Sequence, residues 1–158
     1  MLRNRLLLAI DRAEAGEAAV DYTIGHAAQY GAEVVVLHVR AMPPSLRVPP
    51  LDTVDAAREL VTAALLQMRD AGVHGSGLVT TAREDTVAER IVQIATDERC
   101  DAIILGSRRT RGLRRLSGTR LRERVVRISH LPVIVAPPFL RYTARELTSA
   151  LEAVEVPT

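Results

Sequence analysis

A glycine- and arginine-rich segment from Gly106 to Thr119, GSRRTRGLRRLSGT, carries the residue types in this chain that are best suited to chemistry. It follows an apolar run, Ala102–Leu105, that predicts a buried strand, and it precedes a pattern that predicts a helix from about Arg120 to Ser129. In a strand–loop–helix unit, glycines let the backbone approach an anion, and the free N–H groups of the first helical turn point at it. The spacing therefore predicts a phosphate-binding loop.

Positive charge is concentrated in the same part of the chain. Nine of the 21 basic residues, all of them arginines, lie between Arg108 and Arg127, whereas the rest of the chain has 12 arginines and 18 acids. One or two of these arginines could capture phosphate, and others could form a solvated helix face, as Arg120, Arg124 and Arg127 would. The cluster could also bind a nucleic-acid backbone. This last interpretation is the least favoured, because only four aromatic residues are available for base stacking.

Other residue counts exclude several kinds of site. The chain has no lysine, so a P-loop lysine, a Schiff base and a kinase-type lysine are all excluded. Cys100 is the single cysteine, which excludes an internal disulfide, and we expect it to be a structural thiol. The histidines fall on different predicted elements, so no metal site is expected, and His38 is interpreted as a hydrogen-bonded core residue. No apolar window approaches the roughly 18 residues of a membrane span, and we expect a cytoplasmic protein without a membrane partner.

Strand and helix patterns alternate along the chain. Strands are predicted over Arg5–Asp11, Glu33–Val39, Gly77–Ala82 (an edge strand), Ala102–Leu105 and Pro132–Ala136. Helices are predicted over Gly16–Tyr30, from Asp52 to Gly72, over Thr86–Arg99, Thr119–Ser129 and Thr143–Val154. The four prolines between Ala41 and Pro50 argue against regular structure there. The alternation predicts an α/β fold, with a five-stranded parallel sheet, helices on both of its faces in the Rossmann-like manner, and an additional C-terminal helix. We expect one domain over residues 1–138 and a helical extension over residues 139–158.

Ligands of such sheets bind beyond the carboxyl ends of the strands, where the strand order reverses. The predicted carboxyl ends are Asp11, Val39, Ala82 and Gly106. Asp11 could hydrogen-bond a ligand or cap the turn that follows it. Ser107 and Thr119 could likewise bind phosphate or act as caps.

Several of these segments together resemble the universal stress protein family. The resemblance runs from about Arg3 to Pro137. It rests on the strand that ends in Asp11, on Leu37-His38-Val39, on the run Asp101–Arg108, on Glu123–Val126 and on the closing strand Leu131–Val135. It implies a five-stranded parallel sheet and a homodimer, which in this family is often paired through the last strand.

The resemblance also implies that the chain binds ATP or another adenine nucleotide, with Mg²⁺ reaching Asp11 through the nucleotide. Many members share a motif of Gly, two residues, Gly, nine residues, Gly and then Ser or Thr. Here Gly106 fits the first position and Arg109 stands at the second. Gly118-Thr119 resembles the final pair but follows after eight residues. The residues that the resemblance assigns to the nucleotide site are Ala9, Ile10, Asp11, Val39, Leu105, Gly106, Ser107, Arg109, Gly112, Gly118, Thr119 and Arg120.

Arg109 leaves two interpretations of this loop open. A guanidinium can hold a phosphate bidentately, or it can fill the pocket and block the approach of the backbone, although Gly112 adds some flexibility. In the first case the protein is a homodimeric, nucleotide-binding regulatory module of a stress response, paired through Pro132–Ala136 and the C-terminal helix. In the second it is a nucleotide-free dimeric interaction module with a degenerate phosphate loop. No nucleophile–base pair is visible, so any ATP hydrolysis is expected to be slow and incidental.

Overall fold

The computed structural model describes residues 4–11, 15–45, 47–50, 52–106 and 114–137. Five strands form a single parallel sheet: β1 (Arg5–Ala9), β2 (Glu33–Met42), β3 (Gly75–Arg83), β4 (Ala102–Gly106) and β5 (Val133–Ala136). Four helices connect them: α1 (Ala15–Tyr30), α2 (Val54–Asp70), α3 (Val87–Asp97) and α4 (Arg114–Ile128). A short 3-10 helix, Glu84–Thr86, precedes α3.

The strand order is β3-β2-β1-β4-β5, and every neighbouring pair is parallel. The predicted α/β fold with a five-stranded parallel sheet is therefore confirmed. The prediction that β3 is an edge strand is also confirmed, and β5 forms the opposite edge. The predicted C-terminal helix over Thr143–Val154 lies outside the described residues.

The sheet is covered by apolar side chains on both faces. Leu6, Leu8, Val34 and Val36 pack with α1 and α2 in one core cluster. The alternate residues of the same strands, such as Leu7, pack with α3 and α4 in the other. This division explains why the central strands are almost continuously apolar: successive side chains point to opposite faces, and both faces are buried.

Local signals fix the ends of the first two helices. Gly31 and Gly72 follow α1 and α2 with φ of 61° and 75°, the left-handed conformation that glycine adopts at little cost. Thr53 caps the start of α2, where its Oγ1 accepts a hydrogen bond from the Ala56 N–H at 3.1 Å. These residues place β2 and β3 directly after their helices.

β1 ends at Ala9, two residues before its predicted end at Asp11. Two other predicted boundaries are wrong by three residues or more. β2 continues through Ala41 to Met42, three residues beyond the predicted end, because β3 pairs with it as far as Met42 and Arg83. The prolines that were expected to end the strand begin only at Pro43. Helix α4 begins at Arg114 instead of near Thr119. Arginine and leucine favour helix, and one interior glycine costs only about 1 kcal/mol, so Gly118 does not delay the start of the helix.

Gly77 tests the packing between α2 and the β3 edge. A Cβ at Gly77 would lie 2.4 Å from Val61 Cγ1 and 2.9 Å from Leu65 Cδ1, so Gly77→Ala forces these side chains apart. We expect Gly77→Ala to lower the free energy of unfolding by about 1–3 kcal/mol, as overpacking does. Gly25→Ala is the matched control, because a Cβ at Gly25 on α1 meets nothing within 4 Å.

The control should raise the free energy of unfolding by about 0.5–1 kcal/mol, because alanine favours helix over glycine. Urea unfolding of the three proteins measures both effects. A Gly77→Ala protein as stable as the wild type would show that α2 is not packed tightly on β3.

Candidate functional site

The crevice of this fold lies between the carboxyl ends of β1 and β4. From β1 the chain proceeds to β2 and β3 on one side and then returns to build β4 and β5 on the other. The connections leaving β1 and β4 therefore diverge, which opens a space above the sheet at the point where ligands bind in open α/β folds.

The strand register brings several predicted site residues to this crevice. Ala9 pairs with Leu37 of β2 and with Leu105 of β4. The Ile10 N–H then donates to the Leu37 carbonyl at 2.9 Å, which extends the pairing one residue beyond β1. Asp11 consequently reaches the level of Val39. The Asp11 side chain is exposed, and Val39 is half-buried against the α3–α4 core cluster.

The structure brings together the predicted site residues that lie on the strands or directly after β1: Ala9, Ile10, Asp11, Val39, Leu105 and Gly106. Ser107, Arg109 and Gly112 lie outside the described residues. Gly118 and Thr119 belong to the helical backbone of α4 rather than to a loop before it. The prediction that the helix begins at Thr119 is thus wrong, because α4 begins five residues earlier, at Arg114.

Arg122 makes a contact at the crevice that the sequence did not predict. Its Nη1 donates to the Gly106 carbonyl at 3.2 Å, which ties α4 to the last residue of β4. The sequence showed Arg122 only as one member of the arginine cluster. The hydrogen bond fixes the point where the predicted phosphate loop departs from the sheet.

A cleft of about 500 Å³ lies at the same end of the sheet, on the side covered by α3 and α4. Its lining residues are Pro44, Glu84, Asp85, Ala88, Arg120, Leu121 and Arg124. Two carboxylates therefore face the cleft from the 3-10 helix, and two guanidinium groups face it from α4. The exposed Arg120 was a predicted site residue, whereas Glu84 and Asp85 were missed because neither stands at the end of a predicted strand.

One arginine of the cleft is held by a neighbouring helix. Arg124 Nε donates to Glu89 Oε1 at 2.6 Å, and its Nη2 contacts the same oxygen. This hydrogen bond is the main cause that lowers the pKa of the Glu89 carboxyl. Both side chains remain partly exposed, so the pair aligns α3 with α4 more than it stabilises the fold.

His38 and Asp52 form a buried polar pair beside the crevice. His38 Nε2 lies 2.5 Å from Asp52 Oδ2, and His38 Nδ1 lies 2.8 Å from the Ile10 carbonyl oxygen. The prediction that His38 is a hydrogen-bonded core residue is confirmed, since only 5% of it is exposed. Sequence reasoning missed Asp52 as its partner, because the proline-rich segment separates the two residues along the chain.

Cys100 lies just before β4, at the amino-terminal end of the strands and thus opposite the crevice. Its side chain is buried, and burial raises the pKa of the thiol to about 11. A thiol with a raised pKa carries little thiolate near neutral pH and is a poor nucleophile. The interpretation of Cys100 as a structural residue is therefore supported.

The described residues contain neither a cluster of metal ligands nor a membrane-spanning helix. Among those residues, no group of three or more His, Cys, Asp or Glu side chains is placed to hold a metal ion. None of the helices described there is long and apolar enough to cross a membrane.

Comparisons with known proteins agree with this geometry. A model of the universal stress protein family matches residues 3–137. A universal stress protein from Methanocaldococcus jannaschii is 26% identical over 139 residues, which cover 85% of this chain and 82% of the relative.

Solved structures show the same fold. A universal stress protein family member from Burkholderia pseudomallei is 26% identical, with 85% of this chain and 96% of that chain covered and a TM-score of 0.68. The universal stress protein from Archaeoglobus fulgidus, solved in complex with dAMP, is 20% identical, with 87% and 100% covered and a TM-score of 0.66. Other similar structures, 16% and 18% identical, are complexes with cAMP and AMP.

The sheet order and the crevice define a Rossmann-like α/β protein, and its architecture matches that of these structures. With the family model matching residues 3–137, the chain belongs to the universal stress protein family. The resemblance noted in the sequence is thereby confirmed.

Proposed function

We propose that this protein binds an adenine nucleotide in the crevice between β1 and β4 and acts as a regulatory module of a stress response. One observation carries the proposal: the register places Asp11 and Val39 at the same level, next to the carboxyl end of β4. The complexes of related structures with dAMP, cAMP and AMP support an adenine nucleotide as the ligand.

The chemistry of the groups at the crevice suits such a ligand. Val39 offers a half-buried apolar surface to a purine base. The exposed Asp11 carboxylate can accept hydrogen bonds from ribose hydroxyl groups or meet a nucleotide-bound Mg²⁺. Arg120 can pair with phosphate oxygens from the α4 side. Ser107, Arg109 and Gly112, which the family resemblance also assigns to the site, lie outside the described residues. We propose ATP as a ligand of the crevice as well as the nucleoside monophosphates.

A second function is favoured by two departures from a simple anion site. Arg109 stands where the family motif has glycine, and Glu84 and Asp85 bring negative charge to the cleft. If the Arg109 side chain fills the pocket, it blocks the nucleotide, and the two carboxylates repel its phosphates. We propose, as this second function, an interaction module that works without nucleotide. It differs from the nucleotide-binding module in having no affinity for AMP or ATP.

We also propose that the protein is a homodimer. β5 forms an edge of the sheet among the described residues, where it has no second neighbouring strand, and its Val135 is 44% exposed. Such an edge favours pairing with a second strand. The family resemblance suggests that its partner is the same strand of another subunit. The predicted C-terminal helix over Thr143–Val154 is expected to add to the dimer contact. The expectation of a cytoplasmic location stays a prediction.

The role of Asp11 gives the first test of nucleotide binding. Asp11→Asn removes the carboxylate that is proposed to bind the ribose or its metal. We expect AMP and ATP affinity to fall about tenfold or more, because hydrogen bonds to charged groups contribute about 1.5–3 kcal/mol. Isothermal titration calorimetry with and without Mg²⁺ measures the loss.

The control for this test is Asp21→Asn, which removes the same charge from an exposed position on α1. Its affinity for both nucleotides should equal that of the wild type. If millimolar AMP or ATP produces no heat with the wild-type protein, the interaction module without nucleotide becomes the better proposal.

The dimer proposal predicts that a charge on the β5 edge prevents association. Val135→Asp places a carboxylate on the exposed edge, opposite its symmetry mate in the paired strands, where like charges repel. We expect this variant to sediment as a monomer at micromolar concentration while the wild type sediments as a dimer. Val48→Asp is the matched control, because Val48 is 52% exposed and lies in the proline-rich segment. A wild-type monomer, or a dimer that survives Val135→Asp, would contradict pairing through β5.

A further inference from the structure

His38 and Asp52 form a buried hydrogen-bonded pair that does not itself belong to the proposed nucleotide site. Its two side chains are only 7% and 6% exposed, and they lie beneath the residues that form the crevice. His38 belongs to β2, Asp52 precedes the Thr53 cap of α2, and Ile10 follows β1. The pair therefore joins three segments that are distant in sequence.

The hydrogen-bond partners of the His38 ring determine how many protons it carries. Nδ1 lies 2.8 Å from the Ile10 carbonyl oxygen, which can only accept, so Nδ1 must carry a hydrogen. Nε2 lies 2.5 Å from Asp52 Oδ2, and a second proton must lie between these two atoms. An imidazolium that donates to the Asp52 carboxylate satisfies this contact as a buried ion pair. A neutral ring next to a carboxylate could not satisfy both contacts.

Arg40 fastens the other side of Asp52. Its Nε and Nη2 donate to the Asp52 carbonyl oxygen at 3.3 and 3.0 Å. Arg40 and His38 are both on β2, so the strand holds the Asp52 backbone and side chain at once. These contacts attach the end of the proline-rich segment to β2. The same segment contributes Pro44 to the wall of the cleft.

We propose that His38 is an imidazolium ion that clamps Ile10 to the Asp52 carboxylate and thereby positions both Asp11 and the proline-rich segment for ligand binding. Only a doubly protonated ring can donate to the Ile10 carbonyl and to Asp52 at the same time. His38 and Asp52 are positioning residues, since they act on the site through Ile10, which precedes Asp11. The part of this inference that concerns binding rests on the proposed nucleotide site.

The charge state is tested by the imidazole resonances of the ¹⁵N-labelled full chain at pH 7, with the His38 signals assigned through His38→Gln. We expect both ring nitrogens of His38 to carry hydrogen. In Asp52→Asn the ring should become neutral, because the introduced amide can donate to Nε2. Asp55→Asn is the matched control: Asp55 is an exposed residue in the first turn of α2, and its loss should leave the ring charged. A ring nitrogen of wild-type His38 that carries no hydrogen would overturn the proposal.

The positioning role is tested by two further measurements on the same proteins. Asp52→Asn should speed amide exchange at Asp11 and weaken AMP binding about tenfold, as the loss of a group that orients a ligand-binding residue typically does. Asp55→Asn should change neither. Wild-type affinity in a folded Asp52→Asn protein would overturn the positioning role.

Failure of AMP binding can be distinguished from failure of the His38–Asp52 clamp. If the wild type binds no AMP, the proposed function fails, while the clamp is still decided by the ring spectra and by amide exchange at Asp11. If Asp52→Asn does not fold, the wild-type ring spectrum alone decides whether His38 is charged.

Discussion

The central position of β1 is the constraint on which the rest of the structure depends. β1 is hydrogen-bonded in parallel register to β2 on one side and to β4 on the other, and Leu7 and Leu8 are fully buried on its two faces. Its carboxyl end can therefore lie only between those of its neighbours. The same pairing that buries the core also aligns Asp11 with Val39 beside the end of β4. The crevice is thus a consequence of the strand order rather than of any one loop.

The electrostatics around the crevice follow from which helices cover each face. α4 supplies arginines, but Arg124 is engaged by Glu89 and Arg122 by the Gly106 carbonyl, so these two position the backbone and the neighbouring helix. Arg120 is exposed and lines the cleft together with Glu84 and Asp85. A ligand with one phosphate suits this balance of charge better than one with three.

The sequence predicted the sheet well because buried strands are recognisable by composition alone. Val34–Leu37 and Ala102–Leu105 are apolar on both faces, and Gly31 and Gly72 mark helix ends whose conformation requires glycine. The start of α4 was missed because Gly118 resembles a loop residue, although a helix tolerates one glycine. The Asp52 partner of His38 and the Arg122 contact could not be predicted, since both depend on residues that only the folded chain brings together.

The claim that an adenine nucleotide occupies the β1–β4 crevice is tested most directly by mapping amide shifts of the ¹⁵N-labelled protein during titration with AMP. A nucleotide in this crevice should cause saturable shifts at Asp11, Val39 and Gly106. The resonances of His74 and Gly75, at the amino-terminal end of β3, should stay unchanged. An absence of saturable shifts at millimolar AMP would contradict the account. Saturable shifts centred on Gly75 would contradict it equally, because they would place the ligand at the wrong end of the strands.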